Sequence, residues 1–205
     1  MVRTIVFEGS DGCGKSTQMQ RVAEAFKQRD VGWQVHCIRN PGGTLFAEHM
    51  RSRLLTAAVY TQWERVMGML AALSSTANHI LGLSETPGQH IVLLDRWLLS
   101  TLVYQGCVGG VVQQDILDVA KAALGCLMHP DMYLVYQVPA EVALNRIRKR
   151  GGDLTVFEDR VKIETTCAAY RFAGSLMNAP TIDIDGEPDE DNVWVQTANA
   201  VFGPQ

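Results

Sequence analysis

Signals for cysteine pairing are missing. The five cysteines, Cys13, Cys37, Cys107, Cys126 and Cys167, are odd in number and none stands in C-x-x-C spacing. That excludes a disulfide framework and favours reduced thiols. Neither the cysteines nor the five histidines show zinc-ligand spacing. Basic excess is also missing: 18 Lys and Arg stand against 22 Asp and Glu, a net charge of −4. A chain held by nonspecific affinity for nucleic acid or for an anionic membrane is thereby excluded. No apolar run has the length expected of a bilayer span, and residues 1–7 lack the apolar core and small-residue cleavage site of a signal peptide. Repeats, low-complexity tracts and linkers are lacking too. The expectation is a soluble cytoplasmic protein. What is present, 205 residues with 47% hydrophobic and 20% charged content, excludes a disordered chain and predicts one domain over 1–205.

Short apolar runs alternate with longer amphipathic ones. Strands are predicted over 4–7, 34–38, 91–94, 132–138 and 181–184, each rich in Val, Ile or Leu and bounded by polar, Gly or Pro positions. Helices are predicted over 16–28, 45–55, 61–83, 113–124, 140–150 and 158–177. Near-continuous apolar strands alternating with helices imply a parallel sheet covered on both faces. In such sheets ligands bind beyond the carboxyl ends of the strands.

The first strand is followed by Gly9, Ser10, Asp11, Gly12, Cys13, Gly14, Lys15, Ser16 and Thr17, which match G-x-x-x-x-G-K-S/T at every fixed position. Glycines let the backbone turn its N–H groups around phosphate oxygens. Lys15 supplies a point charge and the Ser16 hydroxyl a ligand for Mg²⁺. The helix that starts there adds the positive end of its dipole. A nucleoside triphosphate site follows, in an α/β three-layer P-loop NTPase fold: a parallel five-stranded sheet flanked by helices. A regulatory GTPase is disfavoured, because no N-K-x-D guanine signature is present.

Other strand ends carry further motifs: Arg39-Asn40-Pro41-Gly42-Gly43-Thr44 after the second, and Asp95-Arg96-Trp97 with Ser100, Thr101, Tyr104, Gln105 and Gly106 after the third. With Phe7-Glu8-Gly9-Ser10-Asp11-Gly12 and Thr17-Gln18, these segments resemble the thymidylate kinase family. That family carries FEG-x-DG-x-GKSTQ, REPGGT and DR-Y/F/W-x-x-S-x-x-AYQG in the same order. The likeness spans roughly residues 4 to 152, through Val138-Pro139-Ala140 and Arg146-Ile147-Arg148-Lys149-Arg150.

The resemblance implies phosphoryl transfer from ATP, with Mg²⁺, to a deoxynucleoside monophosphate. Thymidylate is the default acceptor, and a purine or modified deoxynucleotide is the alternative. Such catalysis is positioning plus neutralisation of charge. Lys15, Arg96 and Asp95 are the expected catalytic centre, with Ser16, Asp95 and Asp11 on the metal side. The acceptor is expected to meet Asp11, Arg39, Pro41, Leu70, Ser74, Arg96, Ser100, Thr101, Tyr104 and Gln105, with Tyr104 packed where a 2′-hydroxyl would project. Glu8 reads as a solvated strand-end carboxylate. Since Cys13 stands in the phosphate loop where one branch of the family has arginine, Arg148, Arg150 or Arg160, from a lid over about 148–160, is expected to supply the transition-state charge. In the base segment, Leu70 replaces the family's stacking phenylalanine and Ser74 its thymine-holding arginine, and Asn40 replaces the glutamate of REPGGT. Ser74, Ser75 and Thr76 therefore read as a remodelled base pocket. The family implies a homodimer through the 61–83 helix.

Overall fold

The computed structural model describes residues 1–29, 32–56, 60–125, 129–150 and 160–204. Five strands, β1 (Val2–Gly9), β2 (Trp33–Arg39), β3 (Gln89–Asp95), β4 (Met132–Gln137) and β5 (Thr181–Asp185), pair in parallel in the order β2-β3-β1-β4-β5. Each coincides with a predicted apolar run. Central β1 is buried from Thr4 to Gly9, as a strand covered on both faces must be. The described helices are α1 (Lys15–Gln28), α2 (Leu45–Thr56), α3 (Gln62–Leu83), α4 (Leu98–Thr101), α5 (Gln113–Leu124), α6 (Ala140–Lys149), α7 (Arg160–Ala173) and α8 (Glu190–Phe202).

Two apolar clusters sandwich the sheet. On one face, Val22 and Phe26 of α1, Leu144 and Ile147 of α6 and Val201 of α8 share a cluster with Ile5, Phe7 and Leu93. On the other, α3, α5 and the segment after β3 share one with Val6, Leu94, Tyr133 and Val135. Helix α7 serves both: Ile163 and Cys167 belong to the first cluster, Tyr170 and Ala173 to the second.

Three expectations need correction. α8 was not predicted, although Asp189 caps it by accepting from the N–H groups of Asp191 and Asn192, a helix-start signal readable in sequence. Residues 98–108 were not predicted helical either. They form α4 and then a π-helical turn, Leu102–Val108. Leu98, Leu99, Leu102 and Val103 are all buried there, and their i, i+1, i+4, i+5 spacing is a helical period available in the sequence. Third, α3 is long and apolar enough to cross a membrane by length and composition alone, with a mean hydropathy of 1.3 over its best window, of which 44% is buried inside the fold. Leucine, alanine and methionine raise that mean between polar residues such as Ser74, Ser75 and Asn78. Most of the expected lid, 151–159, lies outside the described residues.

Candidate active site

Phe7, Asp95 and Arg39 are in register across β1, β3 and β2, so the carboxyl ends of these strands open side by side. The phosphate loop leaves β1 through Gly9, Gly12 and Gly14, all at positive φ. A Cβ on Gly12 would stand 2.5 Å from the Ala143 carbonyl oxygen, with φ at +80°, so only glycine fits there. Gly14 begins α1, and no side chain caps that end. The first N–H groups of α1 thus stay available to an anion. Lys15 is 6% exposed. Its Nζ donates to the Ser10 carbonyl at 3.4 Å and lies 3.9 Å from Asp11 Oδ1.

The Ser16 hydroxyl donates to Asp95 Oδ2 at 2.9 Å, joining the loop to the end of β3. These two hard oxygen donors fit Mg²⁺, which takes one or two protein oxygens and keeps waters and phosphate for the rest. No cluster of three His, Cys, Asp or Glu capable of holding a metal exists among the described residues, so the site is no all-protein cage. Asp11 sits elsewhere than its metal-side reading: its carboxylate accepts from Arg96 Nη2 at 2.7 Å and from the Tyr104 hydroxyl at 3.3 Å. Burial pushes its pKa up, but Arg96 and Lys15 outweigh that and hold it well below the usual carboxylate range.

Arg96 is the hub. It is a non-glycine residue with φ of +74°, a conformation that costs about 1–2 kcal/mol and occurs where surroundings over-determine it. Its N–H donates to Phe7 O at 3.0 Å, and its carbonyl accepts from Asn40 Nδ2 at 3.0 Å. Nη1 is shared among Gly9 O, Ser100 Oγ and Tyr170 OH, each at 3.1 Å. The side chain also hydrogen-bonds the Tyr104 hydroxyl, and Nε has no hydrogen-bond partner among the described residues. A cation with a donor unspent at the mouth of a phosphate loop is an anion receptor. The Tyr104 ring lies 5.2 Å from its guanidinium carbon, and burial raises the Tyr104 phenol, keeping it neutral.

Glu8 departs from its solvated reading, being 0% exposed. Its Oε1 accepts from the N–H groups of Trp97 at 2.7 Å and Ser100 at 3.1 Å, and its Oε2 from Ser100 Oγ at 2.6 Å and Tyr170 OH at 2.9 Å. Burial pushes its pKa up against the pull of Arg96.

Arg39 is exposed at the end of β2. Arg51 of α2 was missed from sequence. It donates to the Pro41 carbonyl at 3.1 Å, and burial together with the like charges of Arg39 and Arg96 lowers its pKa. Three guanidinium groups near one strand end ask for an anion between them. Its position twelve residues beyond Arg39, on a predicted helix, was the available signal.

The base-side residues divide. Thr76 is 0% exposed and donates to the Gly42 carbonyl at 2.8 Å, while Ser75 Oγ lies 2.7 Å from Thr44 Oγ1. Both therefore pin the Pro41–Thr44 segment onto α3 rather than line a pocket. Ser74 is half-buried. Leu70 is 2% exposed within the core cluster, which leaves it no face on which to stack a ring. Thr101 and Gln105 are buried at the π-helical turn. The lid arginines are not gathered at the site. Arg148 and Arg150 are exposed at the end of α6, and Arg160 is ion-paired with Glu141 at 2.6 Å and Glu164 at 2.8 Å.

A family model described as thymidylate kinase matches residues 7–192. The chain belongs to the thymidylate kinase family. It is similar to the thymidylate kinase of Gluconobacter oxydans, 38% identical over 157 residues, 75% of this chain and 72% of that one. Against the thymidylate kinase of Rhodopirellula baltica it is 32% identical over 197 residues, 92% of this chain and 76% of the other. The crystal structure of a thymidylate kinase from Ehrlichia chaffeensis superposes with a TM-score of 0.72 at 21% identity, covering 98% of both chains, which establishes the shared fold. Membership in the thymidylate kinase family makes the chain a nucleoside monophosphate kinase, a phosphotransferase.

Proposed function

We propose that this domain transfers the γ-phosphoryl group of ATP to dTMP, giving ADP and dTDP. The observation that carries the reading is Arg96: half-buried, conformationally fixed, and with its Nε unspent between the phosphate loop and the Arg39–Arg51 pair. Its guanidinium holds the acceptor phosphate, each charge-assisted bond contributing about 1.5–3 kcal/mol. Lys15 and the N-terminal N–H groups of α1 hold the donor phosphates and orient them for in-line attack. Ser16 and Asp95 would hold Mg²⁺, which when bound would neutralise phosphate charge. Asp11, pinned by Arg96 and Tyr104, keeps the tyrosine ring against the sugar. The relatives named above are thymidylate kinases, which favours thymidylate over a purine or modified acceptor. With Leu70 buried and Ser74 short, the base is read from the π-helical turn, where Thr101 and Gln105 lie.

The exposed apolar side chains Trp63, Met67 and Leu81, at 43%, 54% and 42% exposure, share one face of α3 and support a homodimer through that helix. The four described cysteines are free, in keeping with a reducing cytoplasm. The test is ADP release from ATP and Mg²⁺ with dTMP, dUMP, dGMP, dAMP and dCMP supplied singly. Turnover is expected to be highest with dTMP. ADP release with dTMP no faster than with ATP alone would overturn the assignment.

A further inference from the structure

Tyr170 lies beyond the stretch of sequence that carries the family motifs, yet its hydroxyl reaches the middle of the site. It is 1% exposed and anchored on α7, where its carbonyl accepts from Gln137 Nε2 at 3.0 Å. Its hydroxyl touches three groups: Glu8 Oε2 at 2.9 Å, Ser100 Oγ at 2.8 Å and Arg96 Nη1 at 3.1 Å. Proton bookkeeping fixes the direction of these contacts. Arginine only donates, so both hydroxyls accept from Nη1. Each hydroxyl then has one proton, and Glu8 Oε2, at 2.6 Å from Ser100 and 2.9 Å from Tyr170, accepts them both, so the 2.8 Å approach of the two hydroxyls is a contact with no proton of its own. Tyr170 thus stands between a buried anion and a half-buried cation, satisfying one and steering the other.

We infer that Tyr170 is a positioning residue for the acceptor phosphate, holding the Arg96 guanidinium in its binding rotamer through a shared hydrogen-bond network with Glu8 and Ser100. This rests on the reading of Arg96 as the acceptor-phosphate group. The backbone of Arg96 sits in the left-handed region, so its side chain leaves the strand end in an unusual direction and depends on such ties for its aim. Without the phenol oxygen, Nη1 loses one of three acceptors and Glu8 Oε2 one of two donors, while the ring that fills the core is untouched.

A second buried tyrosine supplies the control. Tyr133 is 0% exposed, its hydroxyl has no hydrogen-bond partner among the described residues, and Glu8 bears on it electrostatically. Deleting its hydroxyl removes the same atom from a similar environment without touching the Arg96 network. The experiment compares wild type, Tyr170→Phe and Tyr133→Phe by steady-state kinetics with ATP and dTMP, alongside thermal melting. Tyr170→Phe is expected to raise KM for dTMP by on the order of tenfold, with a lower kcat and KM for ATP within about twofold. Tyr133→Phe is expected to leave both KM values alone. The inference stands if the ratio of the two KM values, dTMP over ATP, rises about threefold or more in Tyr170→Phe alone. A smaller rise, an equal rise in Tyr133→Phe, or a Tyr170→Phe protein that does not fold overturns it and leaves Tyr170 a structural residue. Wild type without dTMP turnover would instead refute the proposed function, so the two failures are distinguishable.

Discussion

Replacing Thr76 by valine removes one hydroxyl and nearly preserves side-chain volume, so it isolates a single hydrogen bond. The Thr76 hydroxyl donates to Gly42 O at 2.8 Å and also lies 3.1 Å from Ala72 O, one helical turn back. The Ala72 carbonyl keeps its helical partner in the variant. The carbonyl of Gly42, a buried residue of the turn, is left facing a methyl group. An unsatisfied buried acceptor costs about 1–3 kcal/mol. For a chain of this size that corresponds to a melting temperature lower by roughly 2–12 °C, at about 2–4 °C per kcal/mol. The turn it releases carries Asn40, which bonds the Arg96 carbonyl. Acceptor KM should therefore rise by a similar factor for every monophosphate, with the ratio of kcat/KM for dTMP over dUMP unchanged within about twofold. Differential scanning calorimetry and an acceptor panel measure both. An unchanged melting temperature together with a shifted base preference would show that Thr76 faces the base, and would refute its assignment as a turn anchor.

Gly12→Ala places a Cβ 2.5 Å from the Ala143 carbonyl oxygen at φ +80°. It should cost at least about 1–2 kcal/mol from the backbone alone and raise KM for ATP; a normal melt with normal ATP kinetics would contradict the loop geometry. Arg96→Lys keeps the charge but cannot satisfy Asp11 and the Gly9 carbonyl while offering further donors to a phosphate. Both kcat and acceptor KM should therefore worsen, and wild-type kinetics would make Arg96 a mere ion-pair residue. His36 Nε2 lies 3.1 Å from His90 Nδ1, and burial, then His90 and His79, lower its pKa from 6.5. The unfolded chain then binds the His36 proton more readily, so neutral His36 stabilises fully above about pH 6.5 and less as pH falls below it. Melting wild type and His36→Gln between about pH 8 and pH 5.5 should show the wild-type advantage shrinking on acidification; a constant gap would remove the pair from the pH response.

Local pattern determined much of this protein before any contact was known. Apolar runs bounded by breakers marked all five strands, because a parallel strand covered on both faces must be apolar at nearly every position. The phosphate loop was equally legible, since its glycines, lysine and serine are consecutive and their geometry is set by neighbours in sequence. Ser16 and Asp95, 79 residues apart, were legible through recurring motifs alone. What the tertiary structure decided is which distant groups share one small space. Glu8 became a buried acceptor only because Tyr170, 162 residues away, and the turn after β3 close over it. Arg51 joined Arg39 and Arg96 through the packing of α2 against α3, and Asp11 was committed to Arg96 by the left-handed backbone at the end of β3. Thr76 and Ser75, spaced like a pocket wall, became anchors because the turn after β2 docks on α3. Sequence fixes which backbone segments form and which chemistry they carry; desolvation, charge pairing and hydrogen-bond direction arise only where segments far apart in the chain exclude water from each other.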